Sequence, residues 1–324
     1  MFLMRFDMRA PEFGAPAHEL YAAALEMAAW GEAHGCITIA VSEHHGSPDG
    51  YLPAPLILAA AMAARTQRVP IQVAALIVPL HDPIRLAEEM AVLDVASAGR
   101  VSYVVAVGYV PEEFAMAGVA LGRRGERMDA CLEAMRRAWT GEPFEYEGRK
   151  LRVTPKPHTP GGPLLWMGGN TRAAARRAAR FDMGMLAQGL NPELPALYAE
   201  ECARIGRTPR PCFNPPETVV TSAFVAEDPD RAWSELGPHL LHDARMYAGW
   251  LRDAVSVSKS TATSVAELRA QHGAYRIFTP DEAVAYVRAN GPLLLQPLCG
   301  GLPPELAWRS LELIASKVLP ALRG

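Results

Sequence analysis

What most constrains this chain is an alternation. Short apolar runs give way to segments with helical spacing and then return, almost from end to end. The spacing predicts strands over 2–8, 36–42, 71–79, 101–107, 164–167, 183–188, 218–225 and 293–298, with helices between them. The run over 71–79 is nearly continuous in apolar residues. That is the pattern of a strand covered on both faces, hence of a parallel sheet layered by helices. Asp82 followed by Pro83 reads as a cap and first residue of a helix that ends near Gly99.

Eight such strands predict a single (β/α)8 TIM barrel, and 324 residues suffice for one barrel of about 250 residues with insertions. Insertions are expected after strands four and seven. The first is a hairpin over 141–157, and the second is a helix-rich excursion over 227–276. The whole chain, 1–324, is read as one domain. An open doubly wound sheet is the alternative, but its nucleotide-binding form would place GxGxxG after strand one. Here that stretch is Arg9-Ala10-Pro11-Glu12-Phe13-Gly14.

Composition narrows the partners. A formal net charge of −3 argues against nucleic acid or an anionic membrane surface. The segment 1–10 carries Arg5, Asp7 and Arg9 and lacks an apolar signal-peptide core. The longest apolar run, 53–64, is well short of the roughly 20 residues that span a bilayer. The five cysteines include no CxxC, so a reducing, cytoplasmic compartment is expected. GxSxG and Walker A motifs are absent, which removes support for hydrolase and NTPase chemistry.

In a barrel, chemistry sits at the carboxyl ends of the strands. Strand two ends in Ser42-Glu43-His44-His45-Gly46, where an imidazole can exchange protons near neutral pH. His81 ends the next strand, but no metal-ligand spacing accompanies it, so no metal is expected. Ala74 and Ala75 would let a flat ring approach the backbone, although small residues also fill the taper of a barrel. Strand five ends in Gly168-Gly169-Asn170-Thr171 and opens into a helix. Free N–H groups there suit an anion such as phosphate, with Arg172 able to add charge. A simple N-cap by Asn170 or Thr171 is the other reading of that turn. Gly300-Gly301, after strand eight, is a rival phosphate site.

Together these residues resemble the bacterial luciferase-like monooxygenase family. The matching segments, in order, begin with Glu43-His44-His45. The run from Ala74 through Pro79-Leu80-His81-Asp82-Pro83 to Glu89 follows, and then Leu93-Asp94 and Ser97-Ala98-Gly99-Arg100. Next come Gly108-Tyr109-Val110-Pro111-Glu112-Glu113-Phe114, the pair Gly168-Gly169, and the stretch from Gln296 through Pro320. The resemblance implies a flavin-dependent oxidoreductase on a (β/α)8 barrel, a two-component monooxygenase that uses reduced FMN and O2 on a small organic substrate. A separate flavin reductase would supply the reduced FMN. It implies His44 as an acid/base with Glu43 orienting it, leaving His45 structural. Ala74 and Ala75 would back the flavin ring, with a non-prolyl cis peptide between them. Gly108, Gly168, Gly169, Asn170, Thr171 and Gln188, at the ends of strands four, five and six, are expected to contact the cofactor.

Luciferase proper carries a reactive cysteine and a phosphate-binding arginine where this chain has Ala106 and Val107. Light emission is therefore not expected, and the phosphate falls to the Gly168–Thr171 turn. Two alternatives remain: a dehydrogenase or reductase using a deazaflavin of the F-420 type, and a non-catalytic flavin-binding subunit. The loops over 109–122 and 227–276 are candidate lids. The apolar helices over 53–65 and 83–97 imply a homodimer, with packing on the barrel as the simpler reading.

Overall fold

The structure, a computed structural model, describes residues 1–188, 190–216, 218–251, 256 and 259–323. The alternation is present throughout. In chain order the first elements are β1 (Phe2–Phe6), α1 (Ala17–Ala33), β2 (Cys36–Val41), α2 (Pro55–Arg65), β3 (Ile71–Ile77), α3 (Pro83–Ala96) and β4 (Val101–Ala106). There follow α4 (Pro111–Met116), α5 (Arg124–Ala138), the hairpin β5 (Phe144–Tyr146) and β6 (Arg149–Leu151), β7 (Leu165–Gly168), α6 (Arg172–Arg180), β8 (Gly184–Leu186) and α7 (Leu194–Ala203). The chain closes with β9 (Cys212–Phe213), β10 (Ser222–Val225), α8 (Pro229–Leu251), α9 (Val265–Ala270), β11 (Tyr275–Phe278), α10 (Pro280–Asn290), β12 (Leu293–Leu295), α11 (Pro304–Leu313) and α12 (Leu319–Arg323). This is an α/β fold of parallel strands layered with helices, the class of the (β/α)8 barrel. Among the described residues no helix is long and apolar enough to cross a membrane.

Two compact units divide the chain. One comprises residues 41–46 and 53–214. Its parallel strands run in the order β3-β4-β7-β8-β9. The strands are buried because α2, α3, α5, α6 and α7 lie over them, which the 3.6-residue spacing of their alanines and leucines requires. Asp82 caps α3 as expected, its carboxylate accepting from the N–H groups of Ile84 at 3.0 Å and Arg85 at 2.9 Å. The hairpin β5–β6 is antiparallel, as its turn at Gly148 predicts.

The other unit comprises residues 1–40, 47–52 and 215–324. In it β12 pairs with β1 and with β10, and β10 with β11, all parallel. Its interior holds an ionic network. Arg9 is fully buried, donating through Nε to Asp243 at 2.9 Å and through NH1 to Asp49 at 2.6 Å. Its guanidinium stacks on Tyr51, Trp250 and Tyr247, 4.6, 4.7 and 5.2 Å from their ring centres. Tyr275 donates to Asp243 at 2.8 Å, and Gln296 donates to Asp7 at 2.6 Å. Burial and the neighbouring Asp243 charge push the Asp7 carboxyl up to about 7 against the pull of Arg9 and Arg5.

Two strands differ from the sequence reading. β9 is two residues long, and β11 lies at the end of what reads as a helix-rich excursion. Tyr275-Arg276-Ile277-Phe278 is too short to show a period. It is a strand because β10 offers a parallel edge to it. Within that excursion, residues 252–255, 257 and 258 lie outside the described residues, so the 227–276 lid is described only in part.

Candidate active site

Every side chain singled out above for chemistry, Gly300 and Gly301 aside, lies in the unit built around β3, β4, β7 and β8. Past β2, Ser42–His45 form no regular element, and hydrogen bonds sort their side chains: Glu43 with His45, and His44 with Glu113. Glu43 and His45 thus share one face, and His44 takes the other.

The first face is an anchor. Glu43 Oε1 accepts from His81 Nε2 at 2.7 Å and from His45 Nε2 at 3.0 Å. Its other oxygen accepts the backbone N–H of Ile77. Burial pushes the Glu43 carboxyl up, but these hydrogen bonds and the His81 charge outweigh it and bring it down to about 2. Hydrogen bonding to Glu43 in turn raises His45. This corrects one expectation: Glu43 does not orient His44. Its carboxylate bonds His45, His81 and the end of β3, and both of its oxygens are taken up there.

His44 is held by Glu113 instead. Glu113 is buried, 1% exposed, on the short helix α4 that follows β4. Its Oε1 lies 2.7 Å from His44 Nδ1 and also accepts the backbone N–H of His45 at 2.9 Å. Its Oε2 is buried without a hydrogen-bond partner among the described residues. An ionised Glu113 only accepts, so in this pair His44 Nδ1 is the donor and Nε2 faces away from the carboxylate. Tyr109 presents its hydroxyl 3.5 Å from that Nε2, with its ring edge-on to the imidazole.

The Ala74–Ala75 peptide is cis, as expected. The register of β3 against β4 shifts between Ala74 and Leu76, so Ala75 is the extra residue of a bulge. Ala74 and Ala75 are half-buried in an otherwise mostly buried strand, and Ala106 is half-buried at the end of β4. Small side chains thus stand at the half-buried positions near the ends of β3 and β4. Gly108 has φ +75°, and a Cβ there would lie 2.7 Å from Ile77 Cγ2 and 2.9 Å from Phe114. Its place is set by the tight turn from β4 into α4.

In the turn from β7 into α6, Gly169 is exposed with φ +119°, and Asn170 O accepts from Asn191 Nδ2 at 2.7 Å. Thr171 caps α6 by accepting from Ala174 N–H at 3.2 Å. Arg172 does not add its charge to this turn. Its guanidinium reaches α7, where it pairs with Glu200 at 2.9 Å and Glu201 at 3.1 Å. Gln188 is exposed just past β8. In the other unit, a Cβ on Gly301 would lie 2.6 Å from Pro11 Cδ, and one on Gly300 would strike the backbone of His239. Close packing accounts for both glycines.

A family model described as luciferase-like monooxygenase matches residues 4–285. The chain belongs to the luciferase-like monooxygenase family. Among curated relatives, an uncharacterised protein of Mycobacterium tuberculosis is 36% identical over 148 residues, 44% of this chain and 51% of that protein. The chain thus spans about half the length of that relative. A second uncharacterised protein of the same species is 30% identical over 233 residues, 64% of this chain and 81% of that protein. Among solved structures, the monooxygenase RslO1 from Streptomyces bottropensis superposes with a TM-score of 0.73 at 25% identity, covering 99% of both chains. The oxygenating constituent of 3,6-diketocamphane monooxygenase from Pseudomonas putida, in complex with FMN, superposes with a TM-score of 0.69 at 18% identity. That match covers 99% of this chain and 98% of that one.

Sequence reading left three residues of this luciferase-like monooxygenase without a role: His81, Tyr109 and Glu113. Glu113 had a signal, since the segment that follows a strand's carboxyl end is where chemistry collects in a barrel, and this carboxylate lies in it, seven positions past β4. Nothing in the sequence separates it from Glu112, because that choice depends on which helix face turns inward.

Proposed function

We propose that this chain is the oxygenating component of a two-component monooxygenase, using reduced FMN from a separate flavin reductase together with O2 on a small organic substrate. The observation that carries the reading is the hydrogen bond from His44 Nδ1 to buried Glu113, which leaves Nε2 as a proton acceptor beside Tyr109. The residues present fit a flavin. Ala74, Ala75 and Ala106 are small and half-buried near the ends of β3 and β4, where larger side chains would stand in the way of a ring. Gly168, Gly169, Asn170 and Thr171 open α6, where backbone N–H groups suit a phosphate. Gln188 and the backbone at Gly108 are further contacts in this reading.

Reduced FMN, when bound, supplies the electrons that activate O2. His44 takes or gives the proton at Nε2, while Glu113 fixes its tautomer and direction. Glu43 holds His45 and the end of β3 in place. Residues 1–324 act as one catalytic domain in a reducing, cytoplasmic compartment. In keeping with that, Cys36 and Cys131 are buried free thiols that burial pushes up to about 12 and about 11. The exposed apolar residues Ile57 on α2 and Val92 and Val95 on α3 support a homodimer through these helices.

The reading is tested by anaerobic titration of the full chain with reduced FMN and, separately, with reduced F-420-type deazaflavin. Saturable binding of reduced FMN and not of the deazaflavin is expected. Oxygen uptake coupled to substrate oxidation should then require an added flavin reductase. Binding of the deazaflavin alone overturns the cofactor assignment, and flavin binding without oxidation of any substrate in a broad panel points to a binding subunit.

A further inference from the structure

The polar positions of α6 are all arginine, Arg172, Arg176 and Arg180 exposed and Arg177 half-buried against Asp129, with alanines between them. Between α6 and the end of α7 lies a cavity of about 390 Å³, lined by Arg176, Arg180, Glu201, Arg204, Ile205 and Arg207. That volume is in the range of small-molecule sites, roughly 300–1,000 Å³. The chain turns at Phe181–Met183 from α6 into β8, so Arg180 stands beside the amino end of a strand. His44, Glu113 and the Gly168–Thr171 turn follow the carboxyl ends. The cavity is therefore at the opposite end of the strands from the candidate active site.

Positive charge is in excess there. Glu201 is 3% exposed and receives three guanidiniums: Arg204 at 2.8 Å, Arg172 at 3.1 Å and Arg176 at 3.4 Å. Glu200 adds a second carboxylate on Arg172 at 2.9 Å, and the two together leave the three guanidiniums one positive charge in excess. Arg180 pairs with Glu133 on the rim. Arg207 has no carboxylate partner among the described residues. One of its nitrogens donates to the carbonyls of Ala179 and Arg180, at 3.0 and 3.1 Å, and caps α6. Burial and the Arg207 charge together disfavour the charged form of nearby Arg136. Each guanidinium has five N–H donors, and among the described residues Arg176, Arg180, Arg204 and Arg207 each donate through one nitrogen, which leaves most of their donors without an acceptor there.

We infer that this cavity binds a small anion carrying two linked phosphates. Planar guanidinium forks match phosphate oxygens two at a time, and the cavity's volume of about 390 Å³ has room for two phosphates, with Ile205 as an apolar wall.

The test is calorimetric titration of the full chain with inorganic pyrophosphate at constant ionic strength, with orthophosphate as a parallel arm. Expected is saturable one-to-one binding of pyrophosphate, tighter than orthophosphate by about tenfold. Arg180→Gln, which leaves the Arg207 cap on α6 in place, should weaken it by about tenfold. Arg231→Gln, on an exposed pair with Glu235 in the other unit, should leave it unchanged. Three results overturn the inference: no saturable heat, equal affinity for the two anions, or undiminished binding in Arg180→Gln. The last of these would move the anion to another site, such as the amino end of α6.

Discussion

His44 Nδ1 and Glu113 Oε1 lie 2.7 Å apart, in a part of the molecule where Glu113 is almost completely removed from solvent. That hydrogen bond selects one tautomer of the imidazole. Replacing Glu113 by Gln lets a side-chain N–H face His44 and favours the wrong tautomer. Glu113→Gln is expected to lower kcat by about 10²-fold with the KM for reduced FMN changed little, and Glu113→Asp to recover part of the loss. His44→Ala should abolish turnover while flavin binding persists. Steady-state kinetics paired with a binding titration checks both. Normal kcat in Glu113→Gln would sink the positioning role.

Glu43 makes acid stability testable. Its carboxyl sits at about 2 in the folded chain against an ordinary 4.5, so folding favours the ionised form. The stabilisation is complete above pH 4.5 and is lost as pH falls toward 2. Its size is on the order of 3 kcal/mol. Glu43→Gln should therefore unfold at lower denaturant at pH 7, with its deficit shrinking as the pH approaches 2. Denaturant melts across that range read the difference. A deficit that stays constant with pH would mean that Glu43 contributes through packing alone.

Asp7 acts with the opposite sign. Its folded carboxyl is raised to about 7 from an ordinary 3.8, so folding favours the neutral form. Below 3.8 both states hold the proton and pH has no effect through this group. Between 3.8 and 7 the unfolded chain releases the proton first, and stability falls by an amount on the order of 4 kcal/mol before levelling off. Asp7→Asn should remove most of that fall. The measurement is the difference between wild-type and variant unfolding free energies at pH 4, 5.5 and 7.5. Parallel curves for the two proteins would exclude Asp7 as the source.

The homodimer rests on Ile57, 74% exposed, with Val92 and Val95 on the neighbouring helix. Ile57→Arg combined with Val92→Arg should give a monomer by sedimentation at micromolar concentration, with circular dichroism unchanged. A wild-type chain that is itself monomeric under those conditions rules the dimer out.

The parallel strands and their helices were legible because their cause is repetitive: a strand covered on both faces must be apolar along its length, as in Ile71–Ile77. The Asp82-Pro83 cap was legible because it is local. The cis bond between Ala74 and Ala75 came from family resemblance and from nothing in the residues themselves. What stayed hidden is pairwise. Glu43 stands next to His44 in the sequence, yet its carboxylate is taken up by His45, His81 and the backbone of Ile77, and the carboxylate that reaches His44 arrives from 69 positions further on. Arg172 reads as a charge for a phosphate until α7 brings Glu200 and Glu201 within its reach. β11 stayed hidden because four residues are too few for a period, and because its partner β10 is about fifty positions away in the chain.

The ring of groups around Arg9 has an evolutionary consequence. Its carboxylates, Asp49 and Asp243, come from segments nearly two hundred positions apart, and its aromatic neighbours Tyr51, Tyr247 and Trp250 from those same segments. Losing Asp49 or Asp243 leaves a fully buried cation short of counter-charge, and losing Arg9 strands its carboxylates, each a costly change for a marginally stable chain. Descendants of this sequence should therefore keep the set intact or exchange it wholesale for an apolar filling, and intermediate combinations should be rare among them.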